Sequence, residues 1–404
     1  MPLSRHDSQQ RVCYTSVMPN ELLTRAVEAV TPKALAEEKL KTGLPIRIYL
    51  GIDPTGTKLH LGHSVPLRKL RAFQDAGHQV IFLIGSFTAM IGDPSGRDKQ
   101  REPLTTEQVL ENFKTYKEQA AKVLDFTNIE VVYNHQWLEK LMFVDIINLA
   151  GNFTVQQILE RDMFDKRLKE GKPIGLHEFL YPLMQGYDSV NLDVDCELGG
   201  NDQLFNMLAG RTLQSTFGKR DKFVITTKLI AGTDGQKMSK TYNNCIYLED
   251  EPNDMYGKVL SINDDLITVY MECCTGIPMS EVTEAAKALK KGSVNPKDLK
   301  MRLAREIVTI YHGADAAAVA ESEFQKVHKD KGIPADIIIR NVKKGDLVID
   351  IMVECKMAPS KTEAKRLIEQ GGVTIDGKAI TAQDAKAEAG ILKVGKRKFL
   401  KIFL

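Results

Sequence analysis

Short β-branched apolar runs alternate with stretches of helical spacing over the first two hundred or so residues. Residues 46–52 form one such run, ending at Asp53-Pro54, and predict a buried parallel strand. Residues 64–76 carry Val65, Leu67, Leu70 and Phe73 at helical spacing and stop at Gly77, a residue suited to the position after a helix. The pattern repeats: strands are expected at 79–85, 129–133, 191–197 and 223–226, and helices at 105–124, 138–150 and 201–217. Such alternation predicts an α/β fold built on a mostly parallel sheet.

Elsewhere the pattern changes. Residues 92–103 (GDPSGRDKQREP) are rich in Gly, Pro and charge, and predict a long surface loop. From about 253 to 331 strand signals vanish, and two to four helices are expected. Residues 332–342 read as a linker. Beyond 343 come a basic helix at 361–370 closed by Gly371-Gly372, a strand at 373–375, the turn Asp376-Gly377 and terminal strands. The expected domain scheme is therefore 1–44 as an extension and helical lead-in, 45–250 as the α/β domain, 251–331 as a helical domain, 332–342 as linker, and 343–404 as a small α+β domain. The first seventeen residues are polar with no apolar stretch of the secretory kind, and read as a disordered extension.

Composition narrows the class. At 404 residues, 43% hydrophobic and 27% charged, the chain is ordinary for a globular protein of two or three domains. No run approaches the ~20 apolar residues needed to span a bilayer, so no membrane partner is expected. The six cysteines never occur as C-x-x-C, which argues against a zinc ribbon, and scattered thiols fit a cytoplasmic setting. Net charge is only +2, but residues 343–404 hold 13 Lys/Arg against 8 Asp/Glu, a surplus of 5. A basic tail on a mildly acidic body suggests a polyanionic partner.

Two short strings carry the chemistry. Asp53-Pro54-Thr55-Gly56-x-x-x-His60-Leu61-Gly62-His63 follows a strand and precedes a helix expected just after His63, which is where open α/β sheets bind ligands and helix N-termini face anions. The bland alternatives are surface histidines or a zinc pair, but no third Cys or His lies nearby. Lys237-Met238-Ser239-Lys240-Thr241 follows a Gly-rich lead that predicts a mobile loop. Alone, two lysines three apart are an ordinary solvated surface. No G-x-x-x-x-G-K-[ST] string occurs, so a P-loop is not the phosphate binder.

Together H-x-G-H and K-M-S-K-[ST] form the double signature of class I aminoacyl-tRNA synthetases. The segments from Tyr49 to Thr55, Thr88 to Gly96, Tyr181 to Asp188 and Gly199 to Gln203 further resemble bacterial tyrosyl-tRNA synthetases, and the match runs from about Arg47 to the C-terminus. The resemblance implies a Rossmann-like nucleotide-binding parallel sheet with helices on both faces, followed by an all-helical anticodon-arm domain and a small α+β RNA-binding domain. It also implies attack of the tyrosine carboxylate on the α-phosphate of ATP, then transfer to tRNA-Tyr. Such a reaction needs no enzyme nucleophile, so positioning and charge stabilisation must supply catalysis.

By the same resemblance Thr55 and His60 donate to the terminal phosphate, His63 sits by the nucleotide, and Lys237 and Lys240 close over the departing pyrophosphate. Gly200 and Asp202 hold the ribose, and Asp53 completes the nucleotide site. Tyr49 and Asp188 meet the phenol, while Thr88, Asp93, Tyr181, Gln185 and Gln203 surround the rest of the tyrosine. For Tyr49 the competing reading is a strand aromatic in the core, and for Asp188 a helix-surface carboxylate. Mg²⁺ is expected to accompany ATP without a dedicated protein site, and the family functions as a homodimer. The tail resembles a ribosomal-type RNA-binding module, with Lys361, Lys365 and Arg366 near one helix face; a solvated charged helix is the plain alternative. Two rivals are the related tryptophan enzyme, and an RNA-binding or splicing paralogue without catalysis.

Overall fold

The computed structural model describes residues 21–95, 104–329, 337–343, 345–395 and 398–403. The expected extension at 1–17 and most of the expected loop at 92–103 lie outside the described residues. The chain divides into two compact units, Met1–Glu251 with Lys258–Ala314, and Pro252–Gly257 with Asp315–Leu404.

In the first unit six strands form one sheet: β1 (Val27–Thr31), β2 (Arg47–Ile52), β3 (Gln79–Ile84), β4 (Glu130–Tyr133), β5 (Cys196–Gly200) and β6 (Phe223–Thr227). Their order is β1-β6-β5-β2-β3-β4. All pairings are parallel except that of β1, which runs antiparallel on β6. Successive residues of β2 point to opposite faces, and Ile48, Tyr49 and Leu50 are all at most 5% exposed, so both faces are covered. The strand order reverses between β2 and β5. Ligands in open α/β sheets bind at such a switch point, beyond the carboxyl ends of the strands, and here Asp53 and Gly200 sit at those ends.

Four expectations need correction. The strand expected at 191–197 lies at Cys196–Gly200, because the helix Leu176–Leu192 runs on to Leu192 and ends at Asp193 in the left-handed region. Buried Leu192 and Val194 imitate strand alternation across that turn. The helix expected at 138–150 is two, His135–Leu138 and Phe143–Ala150. The helix after the histidine motif starts at Leu61, with His60 at its N-cap, rather than after His63. Strand β1 was not foreseen, since VEAVT has too little alternation to mark an edge strand.

Five α-helices follow among the described residues: Pro252–Leu260, Ile267–Cys274, Met279–Lys291, Pro296–His312 and Ala314–Lys329. Instead of forming a region apart, those between 258 and 314 belong to the first unit. Arg25 shows why. Its guanidinium donates to the carbonyls of Met271 (3.4 Å), Glu272 (3.1 Å) and Thr275 (2.8 Å), satisfying the C-terminal carbonyls of helix Ile267–Cys274. Glu272 in turn accepts from Ala26 N and Lys228 Nζ, just past the ends of β1 and β6.

In the second unit the tail forms a sheet of β7 (Ile338–Asn341), β8 (Val373–Ile375), β9 (Lys378–Ala379), β10 (Gly390–Val394) and β11 (Lys398–Phe403), in the order β7-β11-β10-β8-β9. Helices Val348–Glu354 and Lys361–Glu369 share its core through Val348, Met352, Ala364, Leu392 and Leu400. Strand β7 occupies part of the stretch expected as a linker. Its β-branched residues Ile338 and Ile339 pair in parallel with Leu400 and Lys401.

Candidate active site

The two signature strings are joined by backbone. Leu61 N–H donates to Ile246 O at 2.9 Å and Leu248 N–H to Leu59 O at 3.0 Å, with His60 and Tyr247 paired antiparallel between them. The segment that follows the lysine motif is thus clasped to the segment that opens the histidine motif. Lys240 lies against the loop just before this clasp: a Cβ at Gly56 would collide with its Nζ. Gly62 allows a close approach of another kind, since a Cβ there would stand 3.0 Å from the His60 ring, which would have to shift by a few tenths of an ångström.

The lysine loop has its own internal frame. Ala231 bridges Lys237 antiparallel, and Gly232 N–H donates to Gln236 O at 2.7 Å. Asn244, only 2% exposed, accepts from Ser239 N–H at 2.8 Å and donates to Asp234 (2.7 Å) and Lys237 O (3.1 Å). Lys237 Nζ meets Asp202 at 3.2 Å, so one signature lysine reaches the end of β5 and the other reaches the histidines.

The histidines are stacked at 3.8 Å between ring centroids. His63 Nδ1 accepts the His60 backbone N–H at 3.2 Å, which places the ring proton on Nε2 when the ring is neutral. Burial lowers both rings, His60 to about 2 and His63 to about 4; Lys240 pushes both the same way, and His63 further lowers His60. The site therefore offers neutral imidazole donors beside an ammonium.

The second cluster lies among the ends of β2, β3 and β5 and helix Leu176–Leu192. Asp53 accepts from Thr88 Oγ1 and from the Tyr181 hydroxyl, both at 2.8 Å. Gln203 Nε2 donates to Asp93 Oδ2 at 2.7 Å. Asp188, 2% exposed, accepts from Trp137 Nε1 at 2.8 Å and Asn134 Nδ2 at 3.2 Å. Burial pushes the Asp188 carboxyl well up, and those two donors oppose the shift. A carboxylate with a donor on each oxygen keeps lone pairs for a further donor such as a phenol.

Lys237 meets Asp202 just past β5, Lys240 lies close enough to His60 and His63 to lower both, and Gly200 closes β5. Asp53, expected with the nucleotide, has its carboxylate engaged by Thr88 and Tyr181 in the second cluster. Tyr49 also departs from expectation. Its ring packs with Ile81, Leu83, Leu192 and Val194, and its hydroxyl bonds Ser189 Oγ at 2.9 Å rather than standing free beside Asp188. The core reading holds for its ring. In the tail helix, Lys361 pairs with Asp350 at 2.7 Å and Arg366 with Glu363 at 2.6 Å; all three basic side chains are exposed, and among the described residues Lys365 makes no such ion pair.

Sequence reasoning missed Asn134, Trp137, Ser189, Glu197, Lys222 and Asn244. A signal existed for two of them. Glu197 and Lys222 are charged residues at or beside apolar strand runs, where burial forces a charge to find a partner.

Residues 41–329 match the family described as tRNA synthetases class I (W and Y), and residues 349–389 match the S4 domain. A tyrosine–tRNA ligase of Thermotoga maritima is 47% identical over 386 residues, covering 95% of this chain and 96% of that protein. One of Carboxydothermus hydrogenoformans is 46% identical over 397 residues, covering 95% and 97%. Among solved structures, a C-terminally truncated mitochondrial tyrosyl-tRNA synthetase of Coccidioides posadasii superposes with a TM-score of 0.58 at 25% identity, over 73% of this chain and 88% of that one. The Archaeoglobus fulgidus tyrosyl-tRNA synthetase complexed with L-tyrosine shares the fold, with a TM-score of 0.60 at 22% identity over 75% and 98%.

Fold and joined signatures define a class I tRNA synthetase. Within that class the chain belongs to the tyrosine–tRNA ligase family.

The lowered histidines give a direct test. A buried imidazole whose folded pKa lies below its unfolded value of 6.5 binds its proton less readily when folded, so stability is full above pH 6.5 and declines as pH falls toward about 4. In an NMR titration of the unliganded protein, neither His60 nor His63 should protonate between pH 8 and about pH 5. Titration of either ring near 6.5 would contradict its burial beside Lys240.

Proposed function

We propose that this chain activates L-tyrosine with ATP to tyrosyl-adenylate and pyrophosphate, then transfers tyrosine to the 3′-terminal ribose of tRNA-Tyr. The observation that carries this reading is the clasp between Leu59–Leu61 and Ile246–Leu248, which brings His60, His63 and Lys240 to one place. His60 and His63 donate to the terminal phosphates, with Thr55 beside them. Lys240 and Lys237 meet the charge that grows on the departing pyrophosphate. Each hydrogen bond to a charged group contributes about 1.5–3 kcal/mol.

Gly200 and Asp202, at the end of β5, hold the ribose. Asp93, Tyr181, Gln185, Thr88 and Gln203 supply acceptors and order around the substrate ammonium, and Asp188 accepts from the phenol. Selection for a hydroxyl fits a site whose buried carboxylate would lose its partner with phenylalanine; this enzyme family is the standing example of such discrimination. Tyr49 shapes the phenol end from the core.

Mg²⁺ accompanies the nucleotide. Among the described residues no group of three or more His, Cys, Asp or Glu side chains is placed to hold a metal, so the ion would ride on the phosphates. No described helix is long and apolar enough to cross a membrane. The buried, unpaired thiols Cys196, Cys245, Cys273 and Cys274 support a reducing, cytoplasmic setting.

The S4 domain supports tRNA binding by the tail, with Lys361, Lys365 and Arg366 on its helix. Homodimer formation is supported by a contiguous apolar patch: Met142, Phe143, Val144 and Ile147 are 55–77% exposed. A cavity of about 510 Å³ opens nearby, lined by Trp137, Leu141, Leu149, Tyr187 and Phe217 among others.

Two experiments test these readings. Pyrophosphate exchange with each of the twenty amino acids should proceed with tyrosine alone, and a chain ending at Lys329 should keep that exchange while charging tRNA at least ~10-fold more slowly. Exchange with no amino acid would refute the activity, and undiminished charging would refute the role of the tail. In sedimentation velocity the protein should run as a dimer and Phe143→Arg as a monomer; a wild-type monomer would refute the interface.

A further inference from the structure

Behind the amino-acid cluster lies a charged network that nothing in the chemistry above requires. Lys222 Nζ and the Glu197 carboxylate form an ion pair with side chains 0% and 1% exposed. Lys222 also donates to Ser189 Oγ at 2.6 Å, and Ser189 donates to Glu197 Oε2 at 3.2 Å. The Tyr49 hydroxyl joins at Ser189, and the Lys222 ammonium stands 5.9 Å from the Tyr49 ring. Gly210 is part of the device: a Cβ there would sit 2.5 Å from both Lys222 Nζ and Ser189 Oγ. The other Glu197 oxygen accepts from Gln185 Nε2 at 3.0 Å.

Burying two charges is expensive, and apolar replacements of such pairs are often neutral or stabilising. Stability alone is thus a poor reason for this pair. What it does provide is a sense of direction for one amide. A carboxylate only accepts, so Gln185 must spend its NH₂ on Glu197 and present its carbonyl oxygen elsewhere. An ammonium only donates and needs that oxygen. An apolar residue at 197 would leave the amide free to flip and offer donors to a cation.

We propose that Glu197, ion-paired with Lys222, is a positioning residue that fixes the Gln185 carbonyl oxygen toward the ammonium of the substrate. This rests on the reading of Gln185 as an ammonium acceptor. The pair acts through the amide and touches no reacting atom.

The test uses the full chain, pyrophosphate exchange, and 3-(4-hydroxyphenyl)propanoate, which keeps the phenol and carboxylate of tyrosine but lacks the amine. Glu197→Asp keeps the charge pair yet withdraws the carboxylate from Gln185; it should raise the tyrosine KM about 10-fold or more, the worth of one hydrogen bond to a charged group. The KM for ATP and the inhibition constant of the analogue should stay within about 2-fold, because neither uses Gln185. Glu197→Leu with Lys222→Met should behave likewise, and Glu197→Gln with Lys222→Met, which restores a carbonyl acceptor, should recover most of the tyrosine KM. Parallel weakening of tyrosine and analogue would overturn the proposal by showing a merely structural role. So would a Gln/Met pair as impaired as the Leu/Met pair. If Gln185→Met leaves the tyrosine KM unchanged, the ammonium reading itself fails; if Gln185→Met raises it while Glu197→Asp does not, only the positioning role fails.

Discussion

Two backbone hydrogen bonds, Leu61 N–H to Ile246 O and Leu248 N–H to Leu59 O, tie together segments nearly two hundred residues apart. Everything on the nucleotide side depends on them. They fix the N-cap of the helix that begins at Leu61, and with it the stacked histidines. They also set where the chain leaves the lysine loop, and so place Lys240 beside Gly56. Because the bonds are between main chains, they draw on none of the side chains proposed to serve phosphate. Asn244 supplies the loop's internal order from one buried amide, which lets the lysines themselves stay accessible.

The sheet topology explains why two clusters rather than one meet here. Strand order reverses between β2 and β5, and the residues past their ends diverge into the histidine–lysine cluster and the Asp53–Tyr181–Asp188 cluster, the proposed nucleotide and amino-acid sides. Asp53 stands at this divide. It follows β2 in sequence, as a nucleotide-binding residue would, yet its carboxylate is held by Thr88 and Tyr181 on the amino-acid side. A carboxylate there orders the Tyr181 hydroxyl while keeping negative charge near an expected ammonium. The positive and neutral donors sit at the other side, where negative phosphate belongs.

Parallel strands and their helices were legible because burial on both faces leaves continuous apolar runs, as in residues 46–52 and 79–85. Boundaries failed where a buried helix end copied strand alternation, as at Leu192 and Val194, and where an edge strand such as Val27–Thr31 lacked a pattern. The grouping of the later helices with the sheet was not legible, since it depends on Arg25 reaching carbonyls about 250 residues away. The family was legible through the spacing of the two signature strings. The supports of the site were not: Asn134, Trp137, Ser189 and Asn244 act through contacts that spacing does not encode. For Tyr49, sequence could not decide between core and pocket, and the Ser189 bond shows that its hydroxyl is already used. The tail helix was legible as basic, and its Arg366–Glu363 pair is local at i,i+3, but the pairing of Lys361 with Asp350 on the preceding helix depends on the fold.

The central claim is that the clasp delivers Lys240 to the histidines so that its charge stabilises the leaving pyrophosphate rather than bound tyrosine. Rapid-mixing measurement of adenylate formation by Lys240→Ala, with tyrosine binding measured on the same protein, tests it most directly. The account predicts formation slowed by about 10- to 100-fold with the tyrosine dissociation constant unchanged. An unaltered rate, or a loss that appears equally in tyrosine binding, would contradict it.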